Sequence, residues 1–279
     1  MQRTISPTTP ARGGASSADG AGPLLRVEHV QLGYWVEDSF NLAVADATFE
    51  VQARERIIVI GPSGCGKSTL LKAIAGFVEP AGGTISVAGR KTLAPGPDRA
   101  VVFQEFDQLF PWRTVLGNVA YPLRVNGRSR REAERVGREF LELTHLTRAA
   151  KRFPHQLSGG MKQRVAIARA LALEPMLLLM DEPFGSLDAI TRQRLQAELN
   201  RIVAQANVTL MFVTHSIEEA LVLGDRVVVM GDAPSTVLEI VDVRDLGGPE
   251  TPEYGAMRVK LRSLLEVERE VVEDDGVDD

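Results

Sequence analysis

Gly61-Pro62-Ser63-Gly64-Cys65-Gly66-Lys67-Ser68-Thr69 fits the spacing G-x-x-x-x-G-K-[ST], and its flanks decide the fold. Arg56-Ile57-Ile58-Val59-Ile60 is a short apolar run with the character of a buried strand. Leu70-Leu71-Lys72-Ala73-Ile74-Ala75 continues as a helix. Strand, glycine-rich loop and helix therefore follow in the order that a phosphate-binding loop requires. Glycines let the backbone curl until several N–H groups face one anion, and the helix start adds its partial positive charge. The expected occupant is a polyphosphate, with Lys67 reaching its β- and γ-phosphates and the Ser68 hydroxyl on Mg²⁺.

The chain has 279 residues, of which 44% are apolar, enough for one large α/β domain with a full core. Its net charge of −5 gives no reason to expect a nucleic-acid surface. No apolar run approaches the ~20 residues that span a bilayer, so any membrane role is expected to pass through a partner. The single cysteine, Cys65, excludes an internal disulfide and agrees with a reducing compartment. Inside the loop it reads as a small space-filling residue.

Upstream, residues 1–23 are Ser, Thr, Gly, Ala and Pro with two arginines, which predicts a disordered tail. Alternation over Leu25–Val30 and Leu42–Val51 predicts two antiparallel strands with one wet face, and a solvent-facing His29. Between them, Gly33-Tyr34-Trp35 is expected in a turn. An adenine ring needs a flat apolar partner; Tyr34 is the first candidate and Trp35 the second, the alternative being that both cover the small sheet.

Downstream, Thr84–Val87 predicts another strand, and Ala100–Phe103 a buried one that delivers Gln104 to its C-terminal end. Open α/β sheets bind ligands there, so Gln104 is a candidate for touching Mg²⁺ or an attacking water. From Glu105 to His155 strand patterns give way to amphipathic helices over Val115–Leu123 and Arg128–Leu146. The latter sets Val136, Phe140 and Leu143 against an Arg/Glu face expected in solvent. Phe106 to Trp112 places three aromatics in a loop, either against these helices or toward a partner.

Ser158, Gly159 and Gly160 open a helix expected over Val165–Leu173 and form a second anion-binding helix start. One chain can hardly wrap one nucleotide with both starts, so two chains sharing two nucleotides are implied. Met176–Met180 predicts a buried strand ending in Asp181 and Glu182. Adjacent acids at such a terminus require a cation or a part in catalysis to explain them. Asp181 suits Mg²⁺, and Glu182 suits a general base for the water that attacks a γ-phosphate. Val208–Val213 delivers His215 to the same edge, in reach of a γ-phosphate. His145 and His155 read as ordinary helix and loop residues. Strands are expected at Arg226–Met230 and Thr236–Val243, then a helical segment from Tyr254 and an acidic end at Glu273–Asp279.

These motifs, in this order, resemble the nucleotide-binding subunits of ABC transporters, from about Leu24 to the last strand. Gly61–Thr69 is similar to the Walker A loop, Gln104 to the Q-loop residue and Leu157-Ser158-Gly159-Gly160 with Gln163 to the signature. Met176–Asp181 is similar to Walker B with Glu182 as its base, Ser186-Leu187-Asp188 to the D-loop and His215 to the switch histidine. The resemblance implies a P-loop NTPase fold with a RecA-like parallel core, an N-terminal antiparallel β subdomain and a helical insert at about 105–160. The ATPase domain would cover 24–245, with an acidic helical tail at 246–279.

It also implies ATP and Mg²⁺ as cofactors and a head-to-tail homodimer in which Ser158, Gly159 and Gly160 meet the γ-phosphate held by the other copy. Two integral membrane permease subunits would dock in a groove of the helical insert lined by Phe106–Trp112. An extracytoplasmic solute-binding protein would act indirectly, and the subunit would sit at the cytoplasmic face of the inner membrane. Leu109–Val115, Asp181–Asp188 and Val213–Ala220 resemble the importer branch for nitrate, sulfonate and taurine. An exporter subunit, a soluble non-transport ABC ATPase and a non-hydrolysing regulator are the alternatives; Glu182 and His215 speak against the last.

Overall fold

The computed structural model describes residues 22–91, 94–104, 108–185 and 187–274. The tail expected at 1–23 therefore lies almost wholly outside the described residues, as do Phe106, Asp107, Ser186 and the last five acidic-end positions. In chain order the strands are β1 (Leu25–Val36), β2 (Ser39–Val51), β3 (Arg56–Ile60), β4 (Gly82–Val87), β5 (Arg90–Lys91), β6 (Arg99–Val102), β7 (Leu177–Asp181), β8 (Thr209–Val213), β9 (Arg226–Met230) and β10 (Ser235–Asp242). The helices are α1 (Lys67–Ala75), α2 (Val115–Val125), α3 (Arg130–Leu143), α4 (Gly159–Leu171), α5 (Ala189–Ala206), α6 (Ile217–Leu223) and α7 (Pro252–Asp274).

These strands form one sheet in the order β5-β4-β1-β2-β10-β9-β3-β8-β7-β6. From β9 to β6 every pairing is parallel, as expected of strands that are apolar between their ends and covered on both faces. Successive residues of β3 serve opposite layers. Ile58 and Ile60 join the core under α2 to α5, whereas Ile57 and Val59 join the core that holds α1 and the β1–β2 face. Each such fully buried side chain contributes about 1.5–3 kcal/mol. The antiparallel strands join this core through β2 and β10, which pair at Ser235–Val44 and Thr236–Asp46.

One expectation changes. Gly33-Tyr34-Trp35 is strand, paired with Leu42, Asn41 and Phe40, and the chain reverses at Glu37-Asp38. The residues Tyr, Trp and Val favour the pleated backbone, and Glu37 takes the left-handed conformation with φ 53°. The helix start expected at Ser158 is present: its side chain caps α4 by accepting from Met161 N at 3.4 Å, and the helical turns run from Gly159, ahead of the run expected over Val165–Leu173.

The segment 110–114 is fastened by Asn118, which is fully buried. Its Oδ1 accepts from Phe110 N at 2.8 Å, and its Nδ2 donates towards the carbonyls of Phe110, Arg113 and Thr114. On α3 the Arg/Glu face is exposed, with i,i+4 pairs Arg130–Glu134 and Arg135–Glu139 that solvent screens strongly. Among the described residues no helix is long and apolar enough to cross a membrane.

Candidate functional site

The phosphate loop lies between β3 and α1 at the C-terminal edge of the parallel strands. Gly66 caps α1 at φ 93°, and a Cβ there would stand 2.6 Å from Val44 Cγ2, so β2 presses on the loop from outside. Pro62 is half-buried, Ser63 and Gly64 form the exposed crest, and Thr69 sits in the first turn of α1. The loop is held from behind by Ser235, whose hydroxyl donates to Cys65 O at 2.6 Å and reaches Ala43 O at 3.3 Å. Cys65 is buried, and burial raises its thiol pKa. Lys67 is 5% exposed; its Nζ donates to Gly61 O at 2.9 Å and Pro62 O at 2.6 Å. The ammonium thus bridges the very loop whose N–H groups an anion would face.

At the ends of β7 and β8 the acidic and imidazole groups converge. Ser68 Oγ donates to Asp181 Oδ1 at 2.7 Å, and burial raises the Asp181 pKa against the lowering effects of Ser68, Lys72 and Lys67. Two oxygen donors side by side, one a desolvated carboxylate, suit a hard cation. Among the described residues no set of three His, Cys, Asp or Glu could enclose a metal, so such a cation would not be held by a cluster of those side chains alone. Glu182 takes the left-handed conformation with φ 39°, its N–H donating to Val213 O at 3.0 Å. That turn aims the carboxylate across the edge to His215, with Oε2 and Nδ1 3.0 Å apart. Gly185 leaves room for Gln104, because a Cβ there would stand 3.2 Å from Gln104 Nε2 and 3.8 Å from Glu182 Oε2. Gln104, Glu182 and His215, drawn from three separate strand ends, are brought together.

Raising a carboxylate pKa means that the protonated form is preferred in the fold. The stability this gives is present at low pH and is lost as pH rises through the raised value. At neutral pH the ligand-free protein therefore holds an unfavourable charge at Asp181. Asp181→Asn is expected to raise the ligand-free Tm at pH 7 by about 2 °C or more. The gain should shrink as pH falls through the raised Asp181 pKa towards the ordinary carboxylate value of the unfolded chain, and the extra stabilisation by Mg²⁺ with nucleotide should disappear. Thermal melts of both proteins across pH 4–7, with and without ligand, check this. A lower Tm for the variant at pH 7 would overturn it.

The second helix start stands apart from this cluster. Ser158 is exposed and Gly159 and Gly160 are half-buried, leaving the first turn of α4 open. Leu157 and Gln163 face inward, at 9% and 0% exposure, so neither side chain is presented at the surface. Asp188 caps α5, accepting from Thr191 N at 3.0 Å, a bond that lowers its pKa. On β1, Tyr34 stands two and four residues beyond the buried Leu32 and Val30, and Leu32 pairs with the Val44 that covers Gly66. By strand alternation Tyr34 shares that loop-facing side, and Trp35 points to the other face with Phe40, their ring centroids 5.4 Å apart. Tyr34 is 58% exposed and free to stack.

Beside the helical insert, a groove of about 480 Å³ is lined by Phe77, Phe103, Phe110, Tyr121, Val125 and Arg169. Arg113 stacks over Tyr121 at 4.3 Å, and Arg169 donates to Gln108 O at 2.7 Å. Trp112 is 71% exposed at its margin. Sequence reasoning missed Ser235: a lone serine after a proline carries no local signal of a contact 170 residues away.

A family model described as ABC transporter matches residues 44–185. A nitrate import ATP-binding protein of Synechococcus elongatus is 46% identical over 82% of this chain, the match spanning 36% of that protein. A taurine import ATP-binding protein of Rhizobium johnstonii is 42% identical over 87% of this chain and 96% of its own length. Among solved structures, a dimeric ATP-binding cassette in a post-hydrolysis state with ADP and Pi superposes with a TM-score of 0.68 at 31% identity. It covers 79% of this chain and 99% of that one.

Proposed function

This chain belongs to the ABC transporter family, and from that premise we propose that it is the ATP-hydrolysing subunit that powers a small-anion importer from the cytoplasmic face of the membrane. The observation that carries the hydrolytic reading is the convergence of Gln104, Glu182 and His215 beside the Ser68–Asp181 pair. Tyr34 stacks on the adenine, residues 61–69 wrap the phosphates, and Lys67 exchanges its two loop carbonyls for the β- and γ-phosphates. Ser68 and Asp181 would hold Mg²⁺ with Gln104 close by; when bound, the ion neutralises charge between the phosphates. Glu182 orients and deprotonates the attacking water. His215, anchored to Glu182 at 3.0 Å, holds the γ-phosphate end of the same line.

Ser158, Gly159 and Gly160 complete the site of a second copy, in a head-to-tail homodimer with Asp188 near the shared boundary. Gln163 and Leu157 support this start from beneath. In each copy the groove beside Phe110 and Tyr121 receives a short helix of one of two membrane permease subunits, and a solute-binding protein delivers the cargo to them. Nitrate and the sulfonate of taurine, named for the two relatives, share a compact oxyanion, and we assign cargo of that class.

The test is purification of the tagged chain from its own membranes and reconstitution in proteoliposomes. Two integral membrane subunits are expected to accompany it, with ATP-driven uptake of nitrate or taurine when the binding protein is supplied. ATP-driven efflux would establish the exporter alternative, and hydrolysis with no membrane partner would establish the soluble one.

A further inference from the structure

His215 rests on a turn whose geometry is set by a carboxylate outside the cluster described above. Ser216 and Glu219 have the S-x-x-E spacing of a capping box, in which the glutamate side chain returns to the N-cap backbone N–H. Half of that pattern is present: Glu219 N donates to Ser216 Oγ at 3.2 Å. The other half is diverted. Ser216 N donates at 3.1 Å to Thr214 Oγ1, and that hydroxyl donates in turn to Glu219 Oε2 at 2.5 Å. Glu219 Oε1 accepts from Gln196 Nε2 of α5 at 3.2 Å.

Thr214, Gln196 and Glu219 are 2%, 9% and 6% exposed, whereas the His215 side chain is 60% exposed. An exposed carboxylate would cap α6 as well, and burying one is costly unless its oxygens are satisfied. Here both are, by the Thr214 hydroxyl and the Gln196 amide, and Thr214 Oγ1 in turn accepts from Ser216 N, so this hydroxyl, on the residue before His215, is bonded both to the carboxylate and to the residue after it. Thr214 N is fixed as well, donating to Val59 O at 3.1 Å beside the phosphate loop. A small cavity joins Glu219, Thr214 and Ser216 to Glu182, His215 and Arg192. Gln196 lies on the helix that Asp188 caps, so the same carboxylate ties that helix to the histidine turn.

We infer that Glu219 is a positioning residue for ATP hydrolysis, acting through the Thr214 hydroxyl to hold His215 in register with Glu182. This rests on the hydrolytic reading of His215 given above. Misplacing a reacting group by about 1 Å costs on the order of 10²-fold in rate, which sets the scale of the effect.

The test compares Thr214→Val, Thr214→Ser, Glu219→Gln and His215→Ala in the full chain, measuring kcat for ATP and, separately, nucleotide affinity. Thr214→Val and Glu219→Gln are expected to lower kcat by about 10- to 100-fold with ATP affinity within about twofold of native. Thr214→Ser, which restores the hydroxyl, should recover kcat to within about threefold. In a His215→Ala background, adding Thr214→Val should change the residual single-turnover rate by less than about twofold, because the pathway runs through the imidazole. Thr214→Val keeps the side-chain volume, so it remains informative if Glu219→Gln folds poorly. The inference is overturned if His215→Ala slows hydrolysis while Thr214→Val and Glu219→Gln do not, or if the losses multiply in the double variant. Full activity in His215→Ala would remove the hydrolytic reading itself, and this inference with it.

Discussion

Replacing Glu182 by glutamine is expected to slow ATP turnover by about 10²- to 10⁴-fold while leaving nucleotide binding intact, so that an ATP-bound dimer accumulates. The amide has the shape of the carboxylate and keeps an oxygen for the hydrogen bond to His215 Nδ1, at 3.0 Å in the native chain. It also inherits the φ of 39°, because nothing in that backbone turn depends on the charge. What it loses is the ability to take a proton from water. Single-turnover phosphate release measures the rate, and size-exclusion chromatography with ATP and Mg²⁺ measures the dimer. Native turnover in this variant would sink the role given to Glu182, and slow turnover without a trapped dimer would separate hydrolysis from the shared site.

The second large effect is expected at Lys67. Its ammonium is almost fully desolvated and satisfied by two loop carbonyls, Gly61 O and Pro62 O. A bound polyphosphate offers it full negative charge in place of carbonyl dipoles. Truncating one partner of such a buried, hydrogen-bonded charge pair costs about 2–5 kcal/mol, so Lys67→Met should weaken ATP binding by roughly 30- to 4,000-fold. Titration with a fluorescent ATP analogue or calorimetry reads the change. Affinity within about threefold of native would show that the backbone N–H groups of residues 61–69 carry the binding without the side chain.

The loop and the strands β3, β7 and β8 were legible in the sequence because their signals are local. Glycine spacing reports backbone sterics, and an unbroken apolar run reports burial on both faces. The same rule placed Gln104, Glu182 and His215 at one edge, since each follows such a run. The β1–β2 hairpin was not legible in full: its reversal at Glu37 uses a left-handed non-glycine residue, so no glycine marks it. The start of α4 was legible through the Ser158 cap, which offsets two glycines of low helix propensity. Ser235 acts through a contact that only the assembled sheet creates, and for Glu219 the visible capping pattern points to the wrong donor, Ser216 N in place of the Thr214 hydroxyl. Gln163 shows the limit of reading by resemblance, because a motif letter does not say which way its side chain turns.

Cys65 gives the molecule a practical property. It is the chain's single thiol, it lies behind the phosphate loop at 1% exposure, and its burial disfavours the reactive thiolate. A maleimide probe will therefore react first with any cysteine introduced on the surface, without replacing Cys65. Ile190, 66% exposed in the first turn of α5, is a suitable position for such a label. Distance measurements between labelled copies could then follow the closing and opening of the pair during turnover in an otherwise native chain.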